Sequence, residues 1–239
     1  MRCQVELGEK LEVEITELSP KGEGNNIHPS AKIASTVKIL GDVSISQNVV
    51  IHDFVTIYPK VIIKDSVEIF EGAILGKPPI TSRALARKVA TESKTTIIGR
   101  ESAISPHAVI YTDVEIGEGT LVGDNASIRE QCRIGRNCII GRNVTVLYNT
   151  SIGDFTKIMD GTTITGNMQI GSHVFISCLV STTNDNRLGF DGYDEAFVKG
   201  PIIEDYVGIG AGANILPGVR IGTGSIVAAG DSQRSGSES

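Results

Sequence analysis

Four histidines, one basic stretch and one aromatic-rich stretch are the places in this chain where chemistry could reside. A histidine can accept a proton near neutral pH, so His28, His52, His107 and His173 are the first residues to weigh. His28 and His52 directly follow isoleucines near the start and read as an entry residue and a surface residue. His107 and His173 each lie three residues after an isoleucine. His173 is the one nearest the irregular stretch 183–202, which makes it the candidate proton acceptor; a plain turn residue is the simpler reading. The stretch 76–97 carries Lys77, Arg83, Arg87, Lys88 and Lys94 against one acid, Glu92. Such local charge suits either a solvated loop or a flap that holds a phosphate or pyrophosphate, with Arg87 on the substrate in the second reading. The stretch 183–202 holds Phe190, Tyr193 and Phe197 beside Arg187, Asp191, Asp194 and Glu195. Aromatic rings outside a regular core can stack on a sugar or base, or simply pin a loop.

What positions these residues is a repeat of six. From Ile98 to Ile176 an aliphatic residue returns every sixth position, fourteen times in succession. Four residues after each stands a small, β-branched or thiol-bearing residue, such as Ser102, Ala108, Val114, Thr120 and Cys138; Met168 is the exception. Neither an α-helix nor a simple alternating strand has that period. A strict hexapeptide repeat predicts a parallel β-helix, three short strands to a coil. The same period runs from Ile27 to Leu75 and again from Ile203 to Val227. The repeat predicts an all-β prism of about nine coils over 27–230, interrupted by loops at 76–97 and 183–202. Residues 1–26 hold one loosely alternating strand between Val5 and Ile15 and read as an N-terminal cap. Residues 231–239 read as a polar, disordered tail. Counting phase, Leu75 and Thr182 are both third strands of their coils. If the first loop returns the chain to the next coil in phase, both loops leave the same corner, five coils or ~24 Å apart, where two loops on one edge could frame a groove.

Composition narrows the partners. A net charge of −6 argues against nucleic acid, and no apolar run is long enough to span a membrane. The N-terminus lacks the apolar core of a signal peptide. The four cysteines are not spaced as metal ligands; Cys132 and Cys138 occupy inward slots of consecutive repeats, as packing residues. Reduced thiols fit a cytoplasmic protein. The column of Asn149 and Asn167 resembles a site, but asparagine holds the same slot at Asn48, Asn125, Asn137 and Asn143, so turn chemistry explains it.

The sequence also resembles the hexapeptide-repeat acyltransferases, over residues 27–230. The resemblance is carried by the repeat, by the stretch Ile203–Val219, and by Ser181-Thr182-Thr183-Asn184-Asp185 ahead of a long loop. It implies a left-handed parallel β-helix, a hand that the period itself does not give. Within the family the chain is most similar to N-acetyltransferases of nucleotide-linked sugars. That implies acetyl-CoA as co-substrate, no metal, an amino-sugar acceptor, and a homotrimer with sites between subunits. Carried over residue by residue, the coenzyme lies along Gly210, Ala211, Ala213, Ala228 and Ala229. From their place in the loops rather than from the family, Asn184 and Asp185, which open the second loop, Arg187 and Tyr193 within it, and Arg87 of the basic stretch are the candidates to bind the acceptor. Asp160 falls close to where such enzymes present a polar side chain to the amine, so Asp160 and His173 are the catalytic candidates. The chain departs from the family at its end, where a further strand and a basic tail are usual and Val227-Ala228-Ala229-Gly230 runs into polar residues instead.

Two other readings remain. A non-catalytic scaffold predicts a smooth prism, which the charged and aromatic loops argue against. A zinc-dependent carbonic anhydrase needs three converging histidines, and His107 and His173 fall on different corners about four coils, ~19 Å, apart. If the basic flap binds phosphate, Arg87→Glu raises KM for the acceptor or the coenzyme in steady-state kinetics; unchanged kinetics reject that role.

Overall fold

The computed structural model describes residues 24–85, 87–89, 91–187, 190, 192 and 194–234. The expected strand between Val5 and Ile15, Tyr193, and residues 235–239 lie outside the described residues. Within them the chain is a three-sided parallel β-solenoid: three sheets, each of ten strands, with successive strands passing from sheet to sheet. Every rung contributes one strand to each sheet, so the prism has ten rungs rather than about nine. The extra one comes from the polar end. Ser232–Gln233 is a strand and pairs in parallel with Asn214–Ile215, so the solenoid runs past 230. Strands are mostly two residues long, and in these the second residue points inward, as at Ile45, Ile116 and Ile134. The first sheet shows the register plainly. Ile98, Ile116, Ile134, Ile152, Ile170, Ile203 and Ile221 pair in succession down its length. Full burial of such a side chain contributes ~1.5–3 kcal/mol, and the stacked anchors form one continuous core.

Turning the chain three times per rung requires a backbone that most residues avoid. The third residue after each anchor has positive φ at most corners: Asn48, Asn125, Asn137, Asn143, Asn149 and Asn167 all lie between 53° and 62°. Asparagine tolerates this region, so the asparagine column is turn chemistry, as the sequence suggested. The inward slot one residue further on explains the preference for small hydroxyl and thiol side chains. Ser102, Thr120, Cys138 and Thr156 are buried in one file. Their side chains donate to the carbonyls of Gly117, Gly135, Gly153 and Gly171, at 3.0, 2.9, 3.2 and 2.8 Å. The same oxygens accept the N–H of the next rung, as in Thr120 to Ser102 and Val174 to Thr156. Thr182, which stands where an aliphatic anchor is expected, is buried for the same reason: its hydroxyl accepts the N–H of Thr165 at 2.8 Å. Cys132 and Cys138 are core residues, and burial pushes the Cys132 thiol up to about 12.

Both insertions leave the third sheet, from Ile74–Lys77 and from Ser181–Thr182, five rungs apart in that sheet. The first returns to the first sheet at Thr96–Ile98, in phase. The two loops therefore share the corner between the third sheet and the first, here the third corner, as the phase count requires. Residues 82–88 carry several helix-forming types, Ala84, Leu85, Arg87 and Lys88 among them, yet no helix occurs among the described residues of this stretch. Ser82 and Leu85 close a turn instead, with a 3.1 Å bond from the Leu85 N–H to the Ser82 carbonyl. A single isolated helical turn gains too few bonds to offset its nucleation. The other loop contains one 3-10 turn, Glu195–Phe197, capped by the Asp194 carboxylate.

The inward hydroxyl file makes a clean test. Thr156→Val keeps volume but leaves the Gly171 carbonyl and the Val174 N–H without their partner, a cost of ~1–3 kcal/mol. The same substitution at outward-facing Thr163 changes stability by less than ~0.5 kcal/mol. Urea denaturation of the two variants separates the cases.

Candidate functional site

The residues singled out in the sequence fall into two groups on opposite sides of the prism. The first surrounds the outer face of the second sheet near its C-terminal end. His173 sits on the corner between the first and second sheets, with φ +58°. Its ring lies in a ladder of three on consecutive rungs: 5.0 Å from Phe155 and 4.9 Å from Tyr206, within 11° and 2° of parallel. Both faces of the imidazole are thus covered. Among the described residues, no hydrogen bond to either ring nitrogen restrains its edge. Asp160 sits on the other border of this face, between the second and third sheets. Its carboxylate accepts the backbone N–H of Arg142 at 2.8 Å and the guanidinium at 2.6 and 3.0 Å. The Arg142 guanidinium, followed by the Arg142 backbone N–H, holds that carboxyl below the usual aspartate range. An acid kept anionic in this way is a weak proton acceptor at neutral pH. The same bond recurs one sheet round, where Asp154 accepts from the N–H and Nε of Arg136, both at 3.0 Å. Asp160 is therefore one member of a corner-tying series.

Gly210, Ala211, Ala228 and Ala229 lie on the same corner as Asp160, on the last two rungs. A side chain at Gly210 would meet the backbone N of Ala229 at 2.4 Å, so only glycine permits the rungs to stack there. Ala211, Ala228 and Ala229 are exposed, whereas Ala213 is fully buried and its methyl points into the core. Ala213 cannot present its side chain to a ligand on the outside. Between these two borders, Phe175, Leu179, Tyr206 and Ile226 are exposed around Gly208. The result is an apolar strip with bare backbone along one side.

The second group occupies the third corner, under the loops. Asn184 donates from Nδ2 to the Gly166 carbonyl at 3.1 Å, and its own carbonyl accepts the Lys199 N–H at 2.8 Å. Both ends of that loop are thereby tied to the shaft. Asp185 accepts the Arg187 N–H at 2.7 Å, and the Arg187 guanidinium lies 3.5 Å above the Phe197 ring. Phe197 thus pins the loop through Arg187. Arg87, from the first loop, reaches Glu130 on the shaft and lies 3.6 Å above the Tyr148 ring. Beside them a cavity of about 200 Å³ is lined by Arg87, Lys88, Glu92 and Lys94 of the first loop, Glu130 of the shaft and Glu195 of the second loop. The two loops therefore converge on one cavity, which the phase count alone does not reveal.

Glu130 is the residue that sequence reasoning missed. Its side chain is 6% exposed, and it accepts from Arg129 Nε at 2.8 Å and Nη2 at 3.1 Å besides Arg87. Burial alone would raise this carboxyl. Hydrogen bonds from Arg129, the backbone and Arg87 outweigh burial and hold it below the usual glutamate range. The basic flap is thus largely neutralised where it docks, and Lys94 is likewise 3.4 Å from Asp113. No group of histidine, cysteine and acidic residues able to hold a metal ion occurs among the described residues.

A family model described as bacterial transferase hexapeptide (six repeats) matches residues 113–147. No curated protein sequence matches the chain. Several solved structures are similar. The UDP-N-acetylglucosamine acyltransferase LpxA from Bacteroides fragilis is 22% identical over 81% of this chain and 66% of its own, with a TM-score of 0.43. Perosamine N-acetyltransferase from Caulobacter crescentus, in complex with CoA and GDP-perosamine, is 17% identical over 59% of this chain and 53% of its own, with a TM-score of 0.33. The acetyltransferase domain of PglB from Neisseria gonorrhoeae, in complex with acetyl coenzyme A, is 20% identical over 60% and 55%, with a TM-score of 0.26. The chain spans less than two thirds of the length of each of these proteins.

The depressed Glu130 carboxyl fixes a pH dependence. A group with a lowered folded value stabilises the native state above its unfolded value, ~4.3, and that contribution is lost as pH falls through the folded value. Arg87 and Arg129 face Glu130, and Lys88, Lys94, Glu92, Asp113 and Glu195 line the adjoining cavity. The stability gap between the wild type and Glu130→Gln is expected to hold from pH 8 to about 5 and to close only below the ordinary glutamate range. Melting curves across that pH series check it.

Proposed function

We propose, from the premise that this chain is a hexapeptide-repeat protein, that it is an acyltransferase. It moves an acetyl or other short acyl group from coenzyme A to the amino group of a sugar, one linked to a nucleotide. The observation that carries this reading is the convergence of two non-repetitive loops over one cavity on an otherwise regular prism. A scaffold gains nothing from such an edge, and long ordered loops are where function concentrates.

The donor is assigned to the apolar strip beside Gly210, Ala211, Ala228 and Ala229. Bare corners leave room for an extended arm, with Leu179 and Ile226 exposed alongside. The acceptor is assigned to the looped edge, with Asn184, Asp185, Arg187 and Arg87 among its residues. His173 is assigned the amine proton. Its ring is held in orientation by Phe155 and Tyr206 while its edge stays open. Transfer then requires three things: a neutral amine held against the thioester carbonyl, donors for the developing oxyanion, and an acceptor for the proton. The nitrogen attacks the carbonyl carbon, the carbon–sulfur bond breaks, and coenzyme A leaves as the thiol. Asp160, tied to Arg142, is assigned only a polar contact near the donor.

The donor strip and the looped edge lie on opposite sides of one prism, so both serve one reaction only if the strip of one copy meets the edge of another. A homotrimer, working in the cytoplasm, satisfies that requirement. Thiol release from acetyl-CoA, measured against a panel of nucleotide-linked amino sugars, tests the reading; turnover on one of them is expected. Absence of turnover together with absence of coenzyme A binding rejects it. In the active pairing, His173→Ala lowers kcat by ~100-fold, and near-normal activity removes His173 from the mechanism.

A further inference from the structure

Among the described residues in the middle of the basic flap, Arg87 is the side chain that forms an ion pair with the shaft. The flap's return end is held by its own backbone: Lys94 N–H donates to Thr112 Oγ1 at 2.7 Å, and the Thr112 hydroxyl donates to the Lys94 carbonyl at 2.8 Å. Lys60 Nζ reaches the Ser93 carbonyl at 2.9 Å. At its outgoing end Lys77 lies 5.2 Å from the centre of the Tyr111 ring. Between these ends, Arg87 reaches Glu130, 43 positions further along the chain.

We infer that Glu130 is a positioning residue that latches the flap to the shaft through Arg87 and so sets the shape of the cavity between the two loops. Three observations carry this. A carboxylate as buried as Glu130 must be compensated, and its compensation comes from two directions: Arg129 beside it on the shaft and Arg87 from the flap. The Arg87 side chain is only 16% exposed, because its guanidinium is covered by the Tyr148 ring on its face and by Glu130 at its edge. A planar guanidinium fits such a double contact, and a lysine ammonium would not stack in the same way. Finally, the cavity wall is completed by Glu195 from the other loop. Where Arg87 docks therefore decides how far apart the two loops stand.

The latch reverses the simplest account of the flap. If Arg87 held a phosphate directly, Glu130 would compete with the ligand, and removing its charge would tighten binding. If Glu130 positions the flap, removing its charge loosens binding. The kinetic consequence rests on the acceptor occupying this cavity, as proposed above; the latch itself does not.

The test compares the full-length wild type with Glu130→Gln and Arg87→Ala under native conditions, by limited trypsin digestion and by kinetics. Arg87→Ala alters only a flap residue, so it controls for damage to the prism, and circular dichroism checks that both variants keep the fold. Cleavage after Lys88 is expected to accelerate ~10-fold or more in both variants, since the flap opens locally. In the transfer assay the acceptor KM rises ~10-fold in Glu130→Gln, while kcat and the KM for acetyl-CoA stay within ~2-fold, the signature of lost acceptor binding alone. Unchanged cleavage in both variants overturns the latch, and so does a lower acceptor KM in Glu130→Gln. Accelerated cleavage in a protein that transfers no acyl group supports the latch and rejects the assignment of function instead.

Discussion

In-register stacking of one rung on the next is the constraint from which the rest of this structure follows. Each rung pairs with its neighbours through parallel ladders, and residue i meets residue i+18 wherever no loop intervenes. Side chains along any corner are therefore spaced by the strand separation, ~4.8 Å. An inward file must then be small or aliphatic, a corner file must tolerate positive φ, and an outward file is free to vary. The hydroxyl file of Ser102, Thr120, Cys138 and Thr156 shows the constraint at its tightest. Each member serves both a carbonyl on the next rung and an N–H above it. The rings of Phe155, His173 and Tyr206 show the same spacing on the outside, where it matches the distance at which aromatic rings stack.

The same constraint separates chemistry from scaffold. The prism's own faces carry open depressions lined by repeat residues, whereas the cavity under the third corner is walled in part by chain that leaves the repeat. Both long insertions leave at one corner and lean toward each other across the rungs between them. Their meeting point is built from opposite charges. The flap is basic by sequence, yet Arg87 is spent on Glu130 and Lys94 lies beside Asp113. Local composition therefore describes the flap's docking partner better than it describes a ligand. The apolar strip on the opposite side has the complementary character: exposed aliphatic and aromatic side chains beside glycine and alanine corners.

Much of this was legible in the sequence, because a period of six survives every rung. It gave the fold class, the place of both loops and their common corner, and it explained the asparagine column before any backbone angle was known. The rung count fell short because Ser232–Gln233 carries no aliphatic anchor; its strand is held by backbone pairing with Asn214–Ile215. Glu130 escaped notice because it looks like any corner acid next to an arginine. Its partner lies 43 positions away on a loop, and no period relates the two. A signal was present all the same: Tyr111 and Tyr148 are bulky aromatics at corner positions two rungs apart, and each carries a guanidinium over its ring. Asp160 and Ala213 show the opposite case. Family position marked them, while the ladder gives Asp160 to Arg142 and Ala213 to the core.

The central claim is that one chain carries two separated halves of a site and that transfer joins the halves of different copies. Subunit complementation tests it most directly. His173→Ala lowers kcat at the half beside the donor strip, and Arg87→Glu weakens acceptor binding at the looped edge, so with acceptor well below KM oligomers of either variant alone are expected to transfer far more slowly than the wild type. Oligomers assembled from both variants together contain some junctions with two intact halves. The account predicts that acyl transfer recovers in the mixture. A mixed oligomer no more active than either parent would contradict it.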